Sequence, residues 1–183
     1  MSSNNQHELT AERAREQLDY DPETGIVIRR MATSKRAKVG DVIASPDRHG
    51  YLRVAIDGRR HRLHRVIWLM AYGAWPAGQI DHINGARTDN RLANLREASR
   101  EENCRNSKVQ SNNASGKKGV SFHKPSGKWQ ARICADGKRR SLGVFDKKED
   151  AADAYDRAAL DLHGAFARTN AMLADAAQPP ALR

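Results

Sequence analysis

Apolar and polar residues along this chain repeat with two different periods, and the changes of period mark the elements. Residues 8–20, ELTAERAREQLDY, show helical spacing with Leu18 on the inner face and Thr10 placed as an N-cap. DPETGIVIRR then reads as a turn entering a strand. Between Val39 and Leu63 the runs YLRVAI and HRLHRV alternate apolar and polar residues, with SPDRHG and Asp57-Gly58 as turns, which predicts antiparallel strands of a small sheet. HRVIWLMAYGAW predicts a short apolar helix stopped by Gly73 and Pro76, with Trp68, Leu69 and Tyr72 in the core. Further on, QIDHINGARTDNRLANLREASREENCRN, residues 79–106, reads as strand, long loop, strand (LREAS) and helix. Ser99 and Glu102 there have capping-box spacing, which puts Asn103 in the first helical turn.

Residues 107–116, SKVQSNNASG, hold little apolar material and read as a linker. From Lys117 to Phe145 three strands follow, KGVSFH, KWQARICA and KRRSLGVF, turned by PSG and DG. The next helix takes Asp146 as its cap with Glu149 three residues on. Ala151, Ala154, Tyr155, Ala158, Ala159 and Leu162 share one face, small enough for the helix to lie close to the sheet. The tail ADAAQPPALR has little to bury and is expected to fray.

Charge narrows the partners. Lys and Arg number 32 against 22 Asp and Glu, a formal charge of +10, which favours a polyanion. MSSNNQHEL lacks the basic start and apolar stretch of a secretory signal, and no run is long enough to cross a bilayer, so an intracellular protein without a membrane partner is expected. Cys104 and Cys134 lie far apart without C-x-x-C spacing, which argues against structural zinc and against a disulfide.

The Asp81-His82 pair is the candidate chemistry. Hydrolysis of a phosphodiester needs a base to deprotonate water and a cation to stabilise the departing oxygen. Neighbours on a strand point to opposite sides, so Asp81 can ligate a metal while His82 meets a water from another direction. A hard cation such as Mg²⁺ takes oxygen ligands and keeps several waters, so one carboxylate and the amide of Asn103 suffice from the protein. Asn94, inside the loop, can pin backbone groups through its side chain. A calcium loop is excluded because Ile83 stands where an acid or amide is required, and no G-x-S-x-G or partnered cysteine supports a serine or cysteine hydrolase. His64 reads as structural, and His49 and His61 as solvated.

The ordered set of Asp81-His82, Asn84-Gly85, "DNR", "NLR" and Asn103, with upstream LDYDPETG, GYLRVAIDG and HRVIWLMAYGAWP, resembles the HNH nucleases of ββα-metal fold, in particular the phage-encoded homing endonucleases. The likeness runs from about Leu9 to Asn106. It implies His82 as general base, Asp81 as metal ligand, and Asn94 as the asparagine that orders the loop and helps to orient the histidine. At the final position, histidine in many members, Asn103 stands as a metal ligand. The implied cofactor is Mg²⁺ or Mn²⁺, with no organic cofactor.

Charge in the last third is split by element. Lys117 to Arg140 contains a single acid, Asp136, whereas the following helix is rich in acids, so the sheet is expected to face nucleic acid. Alternation puts Gln130, Arg132 and Cys134 on the outer side, where arginine can pair with guanine in a major groove, while Lys118 and Lys128 suit phosphates. KKGVSFHKPSGKWQARI, SLGVFD and EDAADAYDRAALDLHGAFARTN resemble the Apetala-two type domain of plant ethylene-response factors. That likeness implies groove-facing positions at Lys118, Ser121, His123, Arg132, Cys134, Arg139 and Ser141. Ser121, Cys134 and Ser141 depart from the plant pattern, so the plant target sequence is not implied.

Together these readings predict an α+β chain: a tail at 1–7, an HNH nuclease domain at 8–108, a linker at 109–116, an Apetala-two-like domain at 117–170 and a flexible tail at 171–183. The expected function is site-specific cleavage of double-stranded DNA by a monomer or weak dimer in the cytoplasm of a bacterial or phage-infected host. The competing expectation is a sequence-specific DNA-binding regulator with a degenerate nuclease site.

Overall fold

The Asp57-Gly58 pair turns the chain with φ of 48° and 77°, the left-handed values a two-residue hairpin demands, and so joins β3 to β4 below. In the computed structural model, which describes residues 8–32, 34 and 36–175, the chain is α+β with small antiparallel sheets. The tail expected over 1–7 and residues 176–183 of the other expected tail lie outside the described residues. Contacts divide the chain into two units, Met1–Arg100 and Glu101–Arg183.

The first unit opens with α1 (Ala11–Gln17), capped by Thr10, whose Oγ1 accepts the Arg13 N–H at 3.2 Å. β1 (Leu18–Tyr20) pairs with β2 (Val27–Arg29), and β3 (Arg53–Ile56) with β4 (Arg59–Arg62). Helix α2 (Leu63–Tyr72) begins inside the run expected to be strand: only its first residues pair, because from Leu63 the apolar residues Val66, Ile67 and Met70 follow helical spacing. α2 ends at Gly73 in the left-handed region. Leu69 is buried as expected and Trp68 is partly buried, but Tyr72 is 57% exposed; its ring lies tilted against that of Trp68, with centroids 4.3 Å apart. β5 (Gln79–His82) and β6 (Leu95–Ala98) complete the unit. Ala14, Leu18, Val27, Val54, Leu63 and Ile80 are among the residues of its shared core.

The β1–β2 turn reaches the loop between β5 and β6. A Cβ on Gly25, which sits at φ 74°, would lie 2.5 Å from Arg91 N and 2.7 Å from Asn90 C. Tyr20 Oη also donates to Asn90 O at 2.9 Å, and Leu92 N to Pro22 O at 3.1 Å.

Helix α3 (Arg100–Arg105) leads into the second unit, where β7 (Val120–His123), β8 (Lys128–Ala135) and β9 (Lys138–Phe145) form a three-stranded antiparallel sheet in sequence order. Asp136 and Gly137, with φ of 53° and 70°, make the second tight hairpin. α4 (Lys148–His163) packs on the sheet through Ala151, Ala152, Tyr155 and Ala159. Gly119 leaves the space that Tyr155 fills.

Three expectations change here. Lys147, not Asp146, stands at the cap of α4, because the Asp146 carboxylate pairs with Lys128 Nζ at 3.0 Å. Leu162 is exposed; His163 takes the inner place, with its ring Nε2 3.0 Å from Cys134 O. Beyond Asn170 the chain continues as a short helix, α5 (Asn170–Asp175), rather than fraying. Asn170 is the fastening: its Oδ1 accepts the Lys118 N–H at 2.7 Å, and its Nδ2 donates to Lys118 O and Asp156 Oδ1. No helix among the described residues is long and apolar enough to cross a membrane.

Gly25→Ala is expected to lower unfolding free energy by about 2 kcal/mol or more, combining left-handed strain with a backbone collision. Urea unfolding checks this; an unchanged midpoint would show that the β1–β2 turn is not held against the loop.

Candidate functional site

β5 and β6 pair with Asp81 opposite Arg96 and His82 opposite Leu95. Asp81 is 5% exposed and His82 4%. A carboxylate this buried needs a compensating charge. Arg96 provides one, donating to Asp81 Oδ2 through Nε at 2.9 Å and Nη2 at 2.8 Å.

His82 stands where the strand ends. Its Nε2 lies 3.1 Å from Asn90 Oδ1, an acceptor, so the ring proton belongs on Nε2 and the lone pair on Nδ1. Burial pushes the imidazole pKa down against the opposing pull of Asn90 and then Asp81, with Arg87 adding to the fall, so the ring is neutral at neutral pH. His64 packs edge-on to His82 with centroids 5.1 Å apart, and Tyr51 lies 6.0 Å from His82. Burial first, then His82 and two arginines, push His64 down to about 3; its Nδ1 has no hydrogen-bond partner among the described residues.

The loop from Ile83 to Asn94 is closed by side chains. Asn94 Oδ1 accepts the Asn84 N–H at 3.0 Å, while Asn94 Nδ2 donates to Asn84 Oδ1 at 3.0 Å and Asp89 O at 2.8 Å. Asp89 receives Asn84 Nδ2 at 2.7 Å and the Arg91 guanidinium, whose hydrogen bonds hold its carboxyl well below the usual range. The side chain that meets His82 is thus Asn90, which the sequence reading passed over although it lies in the quoted "DNR"; Asn94 lies behind it, holding the loop. Tyr51 was also unmarked, since only pairing of distant segments brings it to the histidines.

Asn103 is half-buried on α3, in the second unit, while Asp81 and His82 are in the first. Among the described residues no three His, Cys, Asp or Glu side chains cluster as a metal cage. The donor chemistry at Asp81 fits a hard divalent cation that takes few protein oxygens and keeps its waters.

In the second unit Arg132 pairs with Ser141 and Cys134 with Arg139 across β8 and β9, and Ser121 with Gln130 across β7 and β8. Ser121, Arg132, Cys134, Arg139 and Ser141 are exposed. A hollow of about 470 Å³ is lined by Ser121, Arg132, Cys134 and Arg139, together with Gln110 and Asn113 of the segment expected to be linker. Lys118 is differently engaged: its Nζ donates to Arg105 O at 2.6 Å and Ser107 O at 2.8 Å, and burial first, then Arg168, lower its pKa to about 8. His123 Nδ1 lies 2.7 Å from Ser126 Oγ. Lys128 is in its pair with Asp146.

Residues 61–105 match the HNH endonuclease family. The chain is 40% identical over 108 residues to "Protein 3.8" of Escherichia phage T7, covering 58% of this chain and 88% of that protein. It is 43% identical over 58 residues to APETALA2-like protein 2 of Oryza sativa subsp. indica, covering 32% of this chain and only 13% of the plant protein.

His64 generates a stability prediction. Its folded pKa of about 3 lies below the unfolded value near 6.5, so the unfolded chain binds the extra proton in between. Stability is retained above about pH 6.5 and lost as pH falls toward 3, at up to about 1.4 kcal/mol per pH unit from this group. Unfolding free energy measured across that window is expected to show this slope, reduced in His64→Leu; a slope unchanged by the substitution would remove the assignment. For His82, NMR titration is expected to give a pKa below 6.5 and a still lower one in Asn90→Ala, because the Asn90 contact favours the protonated ring.

Proposed function

The chain belongs to the HNH endonuclease family, in one group with protein 3.8 of phage T7, and on that basis we propose that it is a metal-dependent, site-specific endonuclease of double-stranded DNA, of homing type. The observation that carries this reading is the setting of His82: buried, with its Nε2 3.1 Å from the Asn90 Oδ1 acceptor, beside the Asp81 carboxylate. A neutral imidazole with one nitrogen fixed as donor presents the other as base.

His82 Nδ1 takes a proton from the water that attacks phosphorus. Asn90 keeps the ring in the required tautomer and stabilises the imidazolium that forms. Asn94 holds the loop that carries Asn90, and so acts at one remove. The protein ligands proposed for Mg²⁺ or Mn²⁺ are Asp81 and Asn103, and the chemistry such an ion supplies when bound is neutralisation of charge on the phosphate and on the leaving 3′ oxygen. Arg96 orients the Asp81 carboxylate. The exposed face with Ser121, Arg132, Arg139 and Ser141 supports a DNA-reading role for the second unit, whose binding would hold the scissile bond near the nuclease. Lys118, His123 and Lys128 are already bonded within the protein, so in this reading they shape that surface, and Lys128 reaches phosphate only by leaving Asp146. A proposed division at 8–108 and 117–170 leaves residues 109–116 between nuclease and reader, with Asn113 and Ser115 bonded to the start of the reader.

A second reading has one observation of its own. The Asp81–Arg96 pair occupies Asp81 Oδ2, as expected of a carboxylate that serves structure in a DNA-binding regulator.

Supercoiled DNA from the native locus, incubated with Mg²⁺ or Mn²⁺, is expected to be nicked or linearised. Chelator and His82→Ala should each abolish cleavage while DNA binding persists, and Asp81→Ala should raise the metal concentration required or abolish cleavage. Tight binding with no cleavage under either metal would establish the regulator instead.

A further inference from the structure

The first unit holds a cationic pair that the nuclease reading leaves unused. Arg62, at the end of β4, and Arg87, in the loop after β5, both place their guanidinium carbons over the Tyr51 ring, at 4.7 and 4.8 Å from its centroid. Both side chains are exposed, and neither has an ion-pair partner among the described residues. Arg87 is further fixed by Nη1 donating to His49 O at 2.6 Å. Collecting two like charges at one ring without a carboxylate costs electrostatic energy, and an aromatic face offsets that only in part. Arg91, also exposed, is instead paired with a carboxylate, that of Asp89.

Position gives the pair its meaning, because the ring it rests on is 6.0 Å from His82 and 5.1 Å from His64. Guanidinium is planar and matches the oxygens of a phosphodiester, and stacking holds it in place before the anion arrives. We propose that Tyr51, Arg62 and Arg87 form a phosphate clamp beside His82 that grips the DNA backbone next to the scissile bond. The clamp rests on the nuclease reading for its register relative to cleavage, and on its own geometry for phosphate binding. Its role is to position the strand: arginines pre-set on the ring hold a neighbouring phosphate so that the scissile one meets the His82 lone pair.

The test uses the full chain and a fluorescein-labelled duplex from the native locus. Binding is followed by anisotropy with chelator present over a range of salt concentrations, and cleavage is measured separately with Mg²⁺. Arg62→Gln/Arg87→Gln is expected to make the slope of log affinity against log salt shallower by about 2, roughly one per phosphate contact removed, and to lower kcat/KM. Arg59→Gln/Arg60→Gln removes the same charge from the same hairpin away from Tyr51, and is expected to leave the slope nearly unchanged. An unchanged slope in the first variant, or equal losses in both, overturns the clamp even if wild-type protein cleaves and His82→Ala does not. A slope lost only in the first variant, with no cleavage by any form, upholds phosphate binding and removes the nuclease reading.

Discussion

The chain between β5 and β6 must leave a strand, reverse and return with one amide facing inward, and Asn94 is the group that makes it do so. Its side chain satisfies the backbone of Asn84 at one end of the loop and of Asp89 near the other. Remove those bonds and several polar groups lose their partners together, a cost larger than any one bond suggests. Asn90, and through it the tautomer of His82, depends on that closure. The β1–β2 hairpin reinforces it from outside through Tyr20 and the close approach of Gly25. An arrangement resting on two segments so distant in sequence is stable only when the whole first unit is folded, which ties the setting of His82 to global integrity.

Legibility in the sequence followed the range of the interactions. Hairpin turns, the Thr10 cap and the helix stop at Gly73 are local, and each stands where the residue pattern predicts. The strands of both units were likewise legible from alternation, apart from the run that becomes α2, where one period overtakes another within a few residues, and Leu18–Tyr20, which the helical reading of 8–20 included but which pairs as β1 with β2. Asp81, His82 and Asn94 stood out as an ordered set because that segment is nearly contiguous. What remained hidden was long-range: the Arg96 partner of Asp81 depends on strand register, and Tyr51 and His64 reach His82 only through the tertiary fold. Tyr72 and Leu162 show the matching error, since an apolar residue near a helix end can satisfy the period yet fall beyond the surface it was expected to cover.

The two units solve opposite electrostatic problems. Around His82, burial pushes the pKa values of His64 and His82 down, while two guanidinium groups lie over the neighbouring Tyr51 ring. In the second unit charge is separated by element, with a basic sheet face and acids along the helix, and the small residues of α4 allow the two layers to touch. Lys118 is an instructive exception, because a lysine spent on two backbone carbonyls no longer serves as a mobile surface charge.

The fastening of Asn170 to Lys118 gives the second unit an architecture with its own logic of inheritance. One side chain draws the beginning of the sheet and the end of the helical segment together, so the stretch enters and leaves at nearly the same point. A segment closed on itself in this way holds its own two ends, while Lys118 also reaches back to the carbonyls of Arg105 and Ser107. The likeness to a far longer plant protein spans 58 residues, the scale of one such closed segment.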